Sequence, residues 1–120
     1  METYKSAKSQ NVVKGKKGET VAIKFLIDNG YKIIQQNYKN KIGEIDIIAE
    51  KDNRIIFIEV KYRQTARFGY PRESVNYYKQ KKIKQVALTY LKQKAKTDAL
   101  IRFDVIEILD EKLTHLTAAF

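Results

Sequence analysis

Asp46, Glu59 and Lys61 are the residues of this 120-residue chain whose types and spacing could do chemistry. They sit in two strongly apolar runs, Gly43-Glu44-Ile45-Asp46-Ile47-Ile48-Ala49 and Ile55-Ile56-Phe57-Ile58-Glu59-Val60-Lys61. Both runs read as β-strands, in which residues two apart face the same way. Glu44 and Asp46 then share one face, and Glu59 and Lys61 share another. Between the runs, Glu50-Lys51-Asp52-Asn53 has the polar turn chemistry of a hairpin. With Asp52-Asn53 at its centre, Asp46 lies opposite Glu59 and Glu44 opposite Lys61, with Cβ atoms roughly 4.5–5.5 Å apart in each facing pair.

Two facing carboxylates repel, and strands this rich in Ile, Val and Phe are buried on both faces, where a carboxylate loses hydration. A divalent cation offsets both costs. Mg²⁺ takes one or two protein carboxylates and keeps water and substrate phosphate for its other positions. Held this way, an ion can activate water and neutralise charge at a phosphodiester. Lys61 stands beside the same place, suited to stabilising a pentavalent phosphate. Any one acid or lysine on a strand more commonly lies on a solvated face or in a surface ion pair. The three together, interleaved with apolar residues, point to a site.

These side chains need a frame. From Gly15 to Asn29 the apolar residues Val21, Ala22, Phe25, Leu26 and Ile27 recur at helical spacing, and Asn29-Gly30 reads as a helix stop. Glu19 shares the inward side of that helix, at its rim. Strands are expected at Tyr31–Tyr38, Ile42–Ala49, Arg54–Tyr62, Leu100–Leu109 and Leu113–Leu116. A long helix over Asn76–Ala95 should bury Tyr78, Ile83, Val86, Ala87, Tyr90 and Leu91. The order α-β-β-β-α-β-β predicts an α/β fold with a central mixed β-sheet flanked by helices, in one domain over 15–120. Residues 1–14 read as a flexible basic tail.

Net charge is +10, and between Lys61 and Lys96 there are eleven basic residues and one acid, an excess equal to that of the whole chain. Such a balance suits a polyanion, nucleic acid first and an acidic membrane surface second, although a lysine-rich solvated helix has the same composition. Cysteine is absent, which excludes disulfide scaffolds, thiolate metal sites and cysteine catalysis. The longest apolar run is the four residues Ile55–Ile58, too short to span a membrane. The amino terminus has no apolar stretch of the secretory kind, so a cytoplasmic protein is the expectation. His115, the one histidine, is expected to be structural or exposed. Asp104 reads equally as a buried or an exposed acid, while Tyr77 and Tyr78 read as packing residues. In the loop, Phe68 and Tyr70 accompany Arg67 and Arg72, a mixture able to stack on bases and touch phosphate.

Asp46, a gap of twelve residues and then Glu59-Val60-Lys61 is similar to the PD-(D/E)XK nuclease pattern. More closely, residues 15 to 120 resemble the YraN family of small bacterial proteins, distant relatives of Holliday junction resolvases. The resemblance rests on Gly18-Glu19 opening the first helix, Gly43-Glu44-Ile45-Asp46, Phe57 to Arg63, Phe68-Gly69, Arg102-Phe103-Asp104-Val105 and Ala119-Phe120. One departure is Ile45, where the wider superfamily tends to place proline. The resemblance implies a restriction-endonuclease-like fold, Asp46 and Glu59 as ligands of Mg²⁺ or Mn²⁺, Glu19 completing the metal site, and Lys61 as catalytic lysine. DNA, branched or junction DNA included, is the partner it implies, with a homodimer by analogy to resolvases. Arg63, Arg67, Arg72, Lys79 and Lys82 are the candidate nucleic-acid contacts. Two other functions fit the sequence: a non-catalytic nucleic-acid-binding module that keeps the fold, and an RNA-binding or ribosome-associated basic protein.

Overall fold

The computed structural model describes residues 11–63 and 76–120, with side chains from Gly18 to Tyr62 and from Asn76 to Phe120. Helix α1 spans Asn11–Asp28, strands β1, β2 and β3 span Lys32–Lys39, Glu44–Lys51 and Arg54–Arg63, helix α2 spans Tyr77–Gln93, and strands β4 and β5 span Leu100–Leu109 and Lys112–Leu116. The five strands form one sheet in chain order. β3 and β4 are parallel, with α2 between them in the chain, and the other neighbours are antiparallel. This is the α/β arrangement anticipated from the sequence, consistent with a restriction-endonuclease-like fold.

Helix α2 repeats Ile83, Val86, Ala87, Tyr90 and Leu91 at steps of three and four, and all five are buried. They meet Tyr38, Ile45, Ile48, Ile55, Phe57 and Phe103 on one face of the sheet. Ala22 and Leu26 of α1 are buried on the opposite face against Ile47, Ala49, Ile56, Ile58, Ile106 and Ile108. The central strands are thus covered on both sides, which their unbroken apolar runs required.

Local chemistry sets the ends. α1 closes in a Schellman motif: Tyr31 N–H donates to Leu26 O at 2.9 Å and Gly30 N–H to Ile27 O at 3.1 Å, with Gly30 at φ +88°. The β2–β3 turn places Asp52 and Asn53 at φ 53° and 63°, left-handed positions that short polar side chains tolerate. Its pairing runs from Lys51 opposite Arg54 to Ile47 opposite Ile58, the register anticipated from the turn.

Three expectations are corrected. α1 begins at Asn11 rather than Gly15, so Gly18-Glu19 lies inside the helix and does not open it. Gly18 has a packing role instead: a Cβ placed there would meet Tyr62 Cβ at 3.1 Å, so its bareness lets α1 lie close on β3. Tyr77 and Tyr78 are 74% and 84% exposed and contribute nothing to the core. Counting back one helical turn from Ile83 reaches Lys79, and Lys79 takes the inward place that Tyr78 was expected to hold.

Candidate active site

The β2–β3 hairpin, α1 and the first turn of α2 meet around Asp46. Two residues apart, Ile45 and Ile47 lie in different cores, so the regular alternation of β2 breaks at Asp46. One step beyond the last paired residues, Asp46 Oδ2 accepts the backbone N–H of Val60 at 2.8 Å. The carboxylate thereby sits between the two strands instead of standing off the sheet.

Burial first, then the charge of Glu59, with smaller additions from Glu19 and Glu44, together push the Asp46 carboxyl up to about 7 against the lowering effect of the Val60 N–H. The charges of three acids act on this carboxyl, Glu19 among them although it stands on another element. Asn37 joins the same group. With its amide nitrogen turned toward the acids, as their acceptor character demands, it donates to Glu19 at 3.2 and 3.3 Å and to Glu44 at 3.3 Å. Its φ of 52° aims it there from an otherwise extended strand.

Glu59 is buried and meets two ammonium groups at one oxygen. Lys79 Nζ lies 2.7 Å and Lys61 Nζ 3.4 Å from its Oε2. Asn76 fixes the turn that carries Lys79, capping α2 by accepting Lys79 N–H on its side chain at 3.0 Å. Burial lowers the Lys61 pKa, and the hydrogen bond with Lys79 lowers it more, against the opposing pull of Glu59. For Lys79 burial also works downward, but hydrogen bonds to Glu59 and Lys61 outweigh it and leave the group raised. Glu44, Asp46, Glu59, Lys79, Lys82 and Ile83 line a cavity of about 280 Å³. A larger cavity of about 570 Å³ near His115 and Phe120 has no acidic side chain in its lining.

Asp46, Glu59, Lys61 and Glu19 are therefore brought together as the sequence suggested. Lys79 and Lys82, expected to lie along DNA, line the acidic cavity, and Lys79 is engaged with Glu59. Lys61 contacts Glu59, its neighbour two along; in β4 it is paired with Glu107, a second buried acid. Arg63 closes β3 with its side chain outside the described residues, and Arg67, Arg72, Phe68 and Tyr70 also lie outside them. Among the described residues no group of three or more His, Cys, Asp or Glu is spaced to hold an ion by itself. The sequence reading missed Asn37, whose only signal is an Asn within a strand, and the contact of Lys79 with Glu59.

Asp104 resolves as a buried acid. Arg102 Nε and Nη2 donate to its two oxygens at 2.8 Å each, His115 Nε2 lies 2.8 Å away, and Ala118 N–H donates at 3.0 Å. Arg102 Nη2 also reaches Tyr31 Oη at 2.8 Å. Burial raises the Asp104 pKa, but the bonds from His115, Arg102 and Ala118 outweigh it and hold the carboxyl below its usual range. His115 is structural, and this network ties the carboxyl-terminal segment to β4.

Residues 18–108 match the model of the uncharacterised protein family UPF0102. The chain belongs to this family. The span matched by UPF0102 holds Glu19, Asp46, Glu59, Lys61, Lys79 and Asp104, and excludes His115. A UPF0102 protein of Clostridioides difficile (strain 630) is 48% identical over 112 residues, covering 92% of this chain and 98% of that protein. One of Thermodesulfovibrio yellowstonii is 49% identical, covering 88% of this chain and 94% of its own. One of Persephonella marina is 38% identical, covering 90% and 93%. Among the described residues no helix is long and apolar enough to cross a membrane.

Proposed function

We propose that this chain is a divalent-metal-dependent endonuclease that hydrolyses DNA phosphodiesters, branched DNA included, at the cavity lined by Asp46 and Glu59, with Lys61 against Glu59. The observation that carries this reading is Asp46 itself. A carboxyl wedged between two strands and raised to about 7 by burial and three neighbouring acids is costly in a structural role. A polyanion-binding surface supports the reading, since Lys79 and Lys82 stand at the mouth of the same cavity and the chain carries +10 overall.

The donor set fits Mg²⁺ or Mn²⁺. Asp46 and Glu59 supply the one or two carboxylates such an ion takes, and no all-protein cage is needed, since water and phosphate complete its shell. Bound there, the ion would supply positive charge at the phosphoryl oxygens and an acidified water. Lys61, mostly buried beside Glu59, would hold the charge that develops on the phosphoryl group, in a place where a fixed cation acts strongly. Glu19 and Glu44, joined through Asn37, would hold water on the far side of Asp46.

One observation favours a second reading, a nucleic-acid-binding module without turnover. Glu59 already has a cation, Lys79, at 2.7 Å. Cleavage assays of the purified chain on duplex and junction DNA with Mg²⁺ or Mn²⁺ separate the two. Metal-dependent products that vanish in Asp46→Asn and Glu59→Gln support the enzyme; DNA binding without products in any chain supports the module.

A further inference from the structure

Of the two lysines that meet Glu59 among the described residues, Lys79 is the more solvent-accessible. Its side chain is 39% exposed, whereas those of Lys61 and Glu59 are 12% and 8% exposed. Both ammonium groups lie against the same Oε2, so this oxygen carries more positive charge than one carboxylate needs. Lys61 is confined by β3 and its neighbours. Lys79 rises from the capped first turn of α2, next to Lys82, at the mouth of the cavity. Its long stem can swing outward without moving the helix, because only the Glu59 end of this ion pair is buried.

From this arrangement we infer that Lys79 is a resident counter-ion for Glu59, displaced when a divalent cation enters and then delivered to the phosphate of the nucleic acid. The inference rests on the metal-dependent reading above and adds a regulatory element to it. Without nucleic acid, Lys79 neutralises Glu59 and holds metal affinity down. With a phosphate at the cavity mouth, Lys79 has a second anion to bind, Glu59 is released, and metal and nucleic acid bind cooperatively. Coupling of this kind is reciprocal, so each ligand raises the affinity of the other by the same factor. The first-turn position of Lys79 matters here: one residue either way, the side chain would point away from β3.

The test is calorimetric titration of Mn²⁺ into the full chain, with and without a phosphorothioate DNA duplex. Without DNA, Lys79→Gln should bind Mn²⁺ at least tenfold more tightly than wild type. Lys82→Gln removes the same charge from the same cavity without touching Glu59 and should change affinity less than threefold. Lys79→Arg keeps the cation and should stay within threefold of wild type, which guards against a trivial folding effect. Adding the duplex should raise Mn²⁺ affinity in both chains through the phosphate ligand, and about tenfold more in wild type than in Lys79→Gln. Equal gains in Lys79→Gln and Lys82→Gln would reduce the effect to general electrostatics and overturn the inference, as would no gain in Lys79→Gln. In both cases Mn²⁺ still binds and the nuclease reading stands. If no chain binds Mn²⁺ even with duplex present, the metal-dependent reading fails and the displacement falls with it.

Discussion

Asp46 Oδ2 accepts the Val60 backbone N–H at 2.8 Å, so a side chain of β2 bridges the gap where the two strands stop pairing. The hairpin therefore ends in a carboxylate held by the neighbouring backbone, not in a free strand end. Its position is fixed by the sheet, while its charge is opposed by everything acidic around it.

That opposition makes a stability prediction. The Asp46 carboxyl is raised from 3.8 to about 7 in the folded chain, so between those values the folded state binds more protons than the unfolded state. Stability of the metal-free protein should then fall as pH rises through this window. Asp46→Asn abolishes that dependence. Relative to wild type, it should be more stable at pH 8 than at pH 5 by on the order of 2–3 kcal/mol. Urea unfolding at the two pH values, in chelator, measures the difference. Equal differences at both would mean that Asp46 ionises freely.

A second prediction concerns how α1 brings Glu19 to the site. Gly18→Val places its extra carbons against Tyr62 Cβ and Cγ, already 3.1 and 3.2 Å from an added Cβ. Overpacking here should cost about 1–3 kcal/mol and weaken Mn²⁺ binding by moving Glu19. Gly43→Ala meets the flexible Lys82 stem at 3.4 Å and Val86 Cγ2 at 3.5 Å, ordinary contacts, and should cost less than about 1 kcal/mol. If the two substitutions prove equally mild, α1 is not seated by Gly18.

The Asp104 network should behave as a buried ion cluster. Asp104→Ala strips Arg102 and His115 of their shared anion and should cost about 3–5 kcal/mol, while Asp104→Asn keeps an acceptor and should cost less. Because the folded carboxyl is held below its ordinary value, the stabilisation is present at neutral pH and lost only as pH falls through that depressed value. Chemical denaturation of the three chains at pH 7 checks the order. A loss below 1 kcal/mol in Asp104→Ala would show that the cluster is dispensable.

Local signals were the legible ones. Asp52-Asn53 specified a two-residue turn and with it the register of β2 against β3, because only short polar residues accept both left-handed positions cheaply. The mixed alternation of β4 marked its limits at Leu100 and Leu109. Tyr78 was misread because hydrophobic character outranked phase: stepping back four from Ile83 reaches Lys79. The environment of Asp104 was illegible because its partner His115, and Tyr31, which accepts from its partner Arg102, stand outside β4. Within the site, the grouping of Asp46, Glu59 and Lys61 could be read from strand spacing, whereas the Lys79 contact depends on how α2 crosses the sheet, which no local pattern encodes.

The most direct test of the account is a crystal of the chain grown with Mn²⁺ and a phosphorothioate duplex, with anomalous scattering recorded at the manganese edge. The account predicts a peak between the carboxylates of Asp46 and Glu59, with Lys79 Nζ moved from Glu59 to a phosphate oxygen. Bound DNA without a manganese peak, and Lys79 still against Glu59, would contradict it.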